Sequence, residues 1–363
     1  MQKNNQNFLS GLALSIMILA ITPSVFAQRF SEWSTPVNLG PVVNAVCAPG
    51  TTTCNDERPN ISKDGLSLYF SSDRPGGCGG ADIYVSQRSS LDSDWEAPVN
   101  LDRDRLAEGL PCVMNSNLAE SAPNLTTDGH TLFFHSFRAT DNCGGGDIYY
   151  SHRKNRRDDL GWESPINLNR VGRDPQEPLV CGAGTELKAI CSGDHPCMLV
   201  NTSKTDAGPA FFHDEVNDIT FLYFTRANLS TNLGDFDIYT AILGLDGTWG
   251  TVVYNEELSS TPHRDTRIAI RRHDGLEIIL ASERPGFPVG SDARKLWVST
   301  RTNTFEPWST PVLLSSVNST ALDGAPGLSW DGSELYFFSS RAGTAAGNDL
   351  YVSTRTKITG QQP

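Results

Sequence analysis

A four-strand unit recurs along this chain, and its first and last copies are incomplete in complementary ways. Residues 57–101 carry the whole unit: "PNIS" runs into an Asp64-Gly65 turn, "LSLYFSS" into a glycine-rich loop, "DIYVSQR" into a polar turn, and "WEAPVNL" closes it. Alternating apolar residues bounded by Asp-Gly and Gly-Gly mark half-buried antiparallel strands. Further copies occupy 120–168, 206–253, 265–314 and 323–356. The third copy has a longer, charged first turn, the fourth lacks the first-strand Pro and carries Lys295 in place of Asp, and the last stops without a fourth strand. Upstream of the first copy, residues 33–39 ("WSTPVNL") form a fourth strand with no first three before it.

Trp33, Trp95, Trp162, Trp249 and Trp308 open these fourth strands, and Pro36, Pro98, Pro165 and Pro311 follow four of them. A ring reconciles the two incomplete ends, because the N-terminal strand completes the last blade and no sheet edge is left at the junction. Proline suits the outermost strand, whose N–H groups face solvent on one side. The expectation is therefore an all-β chain: a five-bladed β-propeller of four-stranded antiparallel blades, one domain over 28–363, with an insert at about 170–205.

Residues 1–27 read as a secretory signal peptide, with Lys3, an apolar run Leu12–Ile21, and Val25 and Ala27 before the cleavage point. An uncleaved anchor is the alternative, and no later segment is apolar enough to span a membrane. The compartment implied is periplasmic or extracellular. A formal charge of −13 repels nucleic-acid phosphate and anionic membrane surfaces. The eight cysteines of an exported chain read as disulfides. Cys47, Cys54, Cys112, Cys181, Cys191 and Cys197 lie between a fourth strand and the next first strand, and Cys78 and Cys143 between second and third strands. That places them all on one face of a propeller. Local closures (Cys47–Cys54, Cys191–Cys197) and bridges between loops (Cys78–Cys112, Cys143–Cys181) both fit, and no spacing suits zinc.

The run "PNISKDGLSLYFSSDRPGG…GGADIYVS" is similar to the TolB-type, WD-like propeller repeat of bacterial envelope proteins. The resemblance covers 33–356 and implies a fold rather than an activity.

Two sets of residues could carry chemistry. Arg74, Arg138, Arg226, Arg284 and Arg341 end the second strands, and Asp82, Asp147, Asp237 and Asp349 begin the third. Repetition marks them as structural pairs within each hairpin, leaving Arg284, opposite Lys295, either solvated or borrowing Asp292. The acids Asp56, Glu120, Asp206 and Asp323 precede the first-strand Pro by three residues, with Glu57 and Asp265 one position off. Gathered at one mouth of the channel, they would cap loops, bind a ligand or a cation such as calcium, or supply the two carboxylates of a glycoside hydrolase. No metal-binding histidine spacing, no GxSxG and no phosphate loop is present, so no catalytic residue and no metal ligand is assigned. The functional expectation is a monomeric binding or scaffold module, more a binder than an enzyme. It would meet a protein or glycan on the loop-rich, disulfide-stapled face. The alternative is a carbohydrate-active hydrolase using the channel-mouth acids.

Overall fold

In the computed structural model, which describes residues 29–46, 54–171, 178–182, 199–228, 235–245, 247–260, 262–287, 290, 294–342 and 347–358, the recurring unit becomes five four-stranded antiparallel sheets. Blade one is Asp56–Ile61, Ser67–Ser72, Asp82–Gln87 and Val99–Asn100; blade two is Glu120–Leu125, Thr131–Ser136, Asp147–His152 and Ile166–Asn167. Blade three is longer, with Asp206–Asp214, Ile219–Asn228, Asp235–Leu243 and Trp249–Tyr254. Blade four is Asp265–Ile270, Glu277–Ser282, Lys295–Thr300 and Val312–Leu313. Blade five is Asp323–Leu328, Glu334–Ser339 and Asp349–Thr354, completed by the N-terminal strand Val37–Asn38. That strand pairs Val37 with Val352 and Asn38 with Tyr351, and a short ribbon of Arg29–Phe30 on Lys357–Ile358 reinforces the closure. The signal-peptide segment lies outside the described residues.

The second-strand aromatics pack between blades. Tyr69 and Ile83 of blade one meet Leu125, Leu132 and Phe134 of blade two, and Phe337 of blade five meets Ile279 and Ala281 of blade four. At about 25 cal/mol per Å² of apolar surface removed from water, these seams supply most of the stabilisation. Asn60 and Asn124 are buried within first strands and accept the N–H groups of Leu125 and Phe211 in the following blade (2.9 Å each), so their glycosylation-type triplets are chance matches.

The repeated arginine pairs differently from the expectation. Arg74 bonds Asp56 (2.6 Å), Arg226 bonds Asp206 (2.6 Å), Arg284 bonds Asp265 (2.9 Å) and Arg341 bonds Asp323 (2.6 Å), while Arg138 lies 3.6 Å from Glu120. Each partner is thus the first-strand acid, not Asp82, Asp147, Asp237 or Asp349. The reason is geometric. The arginine turns inward over the third-strand tyrosine, with its guanidinium 4.9 Å from the rings of Tyr84, Tyr149, Tyr239 and Tyr351, and this aims it at the neighbouring first strand. Arg284 is accordingly not solvated: it is buried on Asp265 and the Leu258 carbonyl, while Asp292 lies outside the described residues. The third-strand acids instead hold their own loops. Asp82 accepts from Cys78 N and Asn100, Asp147 from Cys143 N and Asn167, and Asp349 from Asn38.

Two disulfides bridge loops on one face, Cys78–Cys112 and Cys143–Cys181. Cys54 is also disulfide-bonded, while Cys47, Cys191 and Cys197 lie outside the described residues. No described helix is long and apolar enough to cross a membrane.

Candidate functional site

The channel-mouth acids do not form an open ring. Asp56, Glu120, Asp206, Asp265 and Asp323 are fully buried, each held by its arginine and by backbone N–H groups of the preceding loop, as in Ala45 N to Asp56 and Thr202 N to Asp206. Asp265 stands in the same column as the others, and Glu57 does not: it is half-buried and bonds Arg58 and Asn348. Blade four lacks the first-strand Pro that marks this register in the other blades, so the sequence alone puts Asp265 one position off.

A broad concavity lies on the opposite face, between blades two and three. This cleft of about 610 Å³ is lined by Phe133, Tyr150, Phe211, Leu243 and Trp249, with Asp128, His213, Glu215, Lys63 and Arg156 at its polar edge. Phe133 and Phe211 stack at 5.8 Å and Trp249 meets Phe133 edge-on at 6.0 Å, giving a rigid aromatic floor. Asp128 belongs to the Asp-Gly turn. Burial raises its pKa, but hydrogen bonds from Thr126 Oγ1 and His130 N outweigh that and hold it below the usual carboxylate value. Glu215 is exposed in blade three's longer turn.

One lost residue opens this cleft. Arg88, Arg153, Arg301 and Arg355 immediately follow the third strands of the other blades. Each donates from Nε to the glycine carbonyl of its Asp-Gly turn at 2.7–2.8 Å and lies 4.2–4.6 Å over its blade's tryptophan ring. In blade three Leu243 occupies that position, so the tryptophan edge faces a cavity instead of a guanidinium. Sequence reading passed over this second repeated arginine and its single absence, although "DIYTAIL" against "DIYVSQR" and "DIYYSHR" displays it.

A smaller cavity of about 190 Å³ sits on the propeller axis, near the start of the first strands. Its lining includes Arg58, Arg264, Arg267, Arg294 and His135. No acid of the predicted column lines it.

No family model matches the chain, and no curated protein matches it. Among solved structures, an α-L-arabinofuranosidase from Podospora anserina is similar over 90% of this chain and 97% of that one, at 12% identity and a TM-score of 0.51. An endo-arabinase from Bacteroides thetaiotaomicron (16% identity, 92% and 100% covered, TM-score 0.48) and a Cellvibrio cellulosa α-L-arabinanase (14%, 82% and 91%, 0.49) also align. At such identities the likeness is one of fold. It corrects the TolB-type resemblance: the structure similar over 90% of this chain is an α-L-arabinofuranosidase, not a TolB-type repeat protein.

Proposed function

We propose that this exported propeller is directed at carbohydrate and that the cleft between blades two and three receives a saccharide chain. The observation that carries the reading is the aromatic floor with a polar rim, in a volume of about 610 Å³. Sugar rings present an apolar face of C–H groups and an edge of hydroxyls. Phe211, Tyr150 and Trp249 match the face, while Asp128, His213, Glu215 and Arg156 supply partners for the edge. The protein-scaffold expectation draws no comparable support. The neighbours' names, arabinofuranosidase and arabinanase, favour a carbohydrate-active reading and, within it, hydrolysis. The buried column of acids suits that chemistry poorly, since each is committed to an arginine; Asp128 and Glu215, one from each flanking blade, are the cleft's own carboxylates.

The test is calorimetric titration of arabinan and other neutral and acidic polysaccharides, with a reducing-end assay in parallel. Binding that weakens at least tenfold in Phe211→Ala is expected. Turnover lost in both Asp128→Asn and Glu215→Gln would assign hydrolysis to the cleft, and binding without turnover would make the protein a lectin-like module. No binding to any saccharide would overturn the reading.

A further inference from the structure

The innermost position of each blade, two residues after the buried first-strand acid, faces the axis. It is Ala122, Gly208 and Ala325 in blades two, three and five, but Arg58 and Arg267 in blades one and four. Three small residues clear a space and two arginines enter it. A one-residue bulge re-aims the strand in every blade, between Glu57 and Asn60, Ser121 and Asn124, Ala207 and Ala210, Asp265 and Arg267, and Gly324 and Gly327. Arg58, Ala122 and Ala325 adopt φ of 56°, 57° and 44°, left-handed values that non-glycine residues rarely take, and each stands immediately before a proline. Such strain persists only where surrounding structure enforces it, and it often accompanies function.

The charges at this point are unbalanced. Arg58 bonds Glu57 (2.6 Å), and Arg294 bonds Glu283 (3.0 Å), which also lies 4.0 Å from Arg264. Arg267 is buried, and among the described residues its two terminal nitrogens donate only to the neutral carbonyls of Ala122 and Pro123 (3.0 Å each). Among the described contacts, four guanidinium groups therefore face two carboxylates, an excess of two positive charges in a chain whose formal charge is −13. Burial and the nearby Arg58 hold Arg267 down at about 9, without any acid acting the other way. His135 is pushed to about 3 by burial, Arg58 and Arg267, and so stays neutral at ordinary pH. The Nε atoms of Arg264, Arg267 and Arg294 and Nδ1 of His135 are buried without a hydrogen-bond partner. Leaving such groups desolvated and unpaired is costly, and an oxyanion would satisfy several at once.

We propose that the axial cavity is an oxyanion-binding site that takes a carboxylate, sulfate or phosphate group, with Arg267 and Arg294 as its principal donors and Arg58 and Arg264 at its rim. Guanidinium forks match planar or tetrahedral oxyanions and bind them through charge-assisted hydrogen bonds. At about 190 Å³ the cavity falls below the ~300–1,000 Å³ of most ligand pockets, so it holds one anionic group rather than a chain. The site is independent of the aromatic cleft on the opposite face.

Calorimetry and thermal melting of the full chain with sulfate, phosphate, acetate, glucuronate and glucose, at constant ionic strength set by sodium chloride, test this. Saturable binding of at least one oxyanion is expected, with none for glucose. Binding of the inorganic ions points to a free anion as the natural ligand; binding of glucuronate without sulfate or phosphate points to the acidic group of a sugar. Arg267→Lys and Arg294→Gln should each weaken binding at least tenfold, and Arg294→Gln, at a half-buried position, keeps the test valid if Arg267 variants fold poorly. No saturable binding by any oxyanion, or equal affinity in wild type and Arg294→Gln, would overturn the proposal.

Discussion

Blades three and four depart from the repeat in opposite directions, and each departure shapes a concavity: one opens a cleft, the other puts a charge into a cavity. Blade three loses a cation: Leu243 replaces the arginine that covers the tryptophan elsewhere, and an aromatic cleft results. Blade four gains one: Arg267 stands where three other blades have Ala or Gly, and its side chain crosses the axis to the carbonyls of blade two. What all blades share is architecture, from the buried acid–arginine pair to the aromatic ring beneath it, a tyrosine in four blades and Trp297 in blade four. What a single blade changes is surface available to a ligand.

This division can be broken experimentally. The largest effect should come from the shared set. Asp206→Ala leaves Arg226 buried without its counter-ion, and a loss of about 3–5 kcal/mol is expected in denaturant unfolding. A loss below about 1 kcal/mol would mean that the repeated pair is not structural. Reduction of Cys78–Cys112 and Cys143–Cys181 should cost about 2–4 kcal/mol for each bridge, read as a lower melting temperature in reductant. Next, Leu243→Arg restores the repeat. It should fill the cleft and weaken saccharide binding at least tenfold, about 1.4 kcal/mol, with folding intact; undiminished binding would place the saccharide elsewhere.

A smaller effect is expected from pH. Burial raises Asp82 to about 6 and Asp147 to about 7, against a usual carboxylate value near 3.8. The folded state therefore holds these protons more tightly than the unfolded chain. Their contribution to stability is fully present below about pH 4 and is lost as pH rises through 6–7. The melting temperature should fall by a few degrees between pH 5 and pH 8, and Asp147→Asn should flatten part of that slope. The smallest shift belongs to calcium: because every acid of the column already holds an arginine, chelator should leave the melting curve in place.

Strand number, blade number and ring closure were legible because they rest on local patterns: period-two apolar runs, Asp-Gly turns, and a Trp-Pro strand whose count balances only in a circle. The loop-to-loop disulfides could be placed on one face but not paired, since connectivity depends on which loops approach each other. Arg74 shows where reading along the chain stops. It has Asp82 close in sequence and Asp56 across the sheet, and the choice between them follows from its stacking on Tyr84, a contact no spacing encodes. The acids read as gathered at the channel mouth because a first strand lines the channel, but bulges turn the chain so that the acids point into the blade, where they cap loops, and the residue two places on meets the axis. Leu243 and Arg267 were visible as exceptions to the repeat all along. Only the packing of blades around an axis gave one exception a cleft and the other an uncompensated charge.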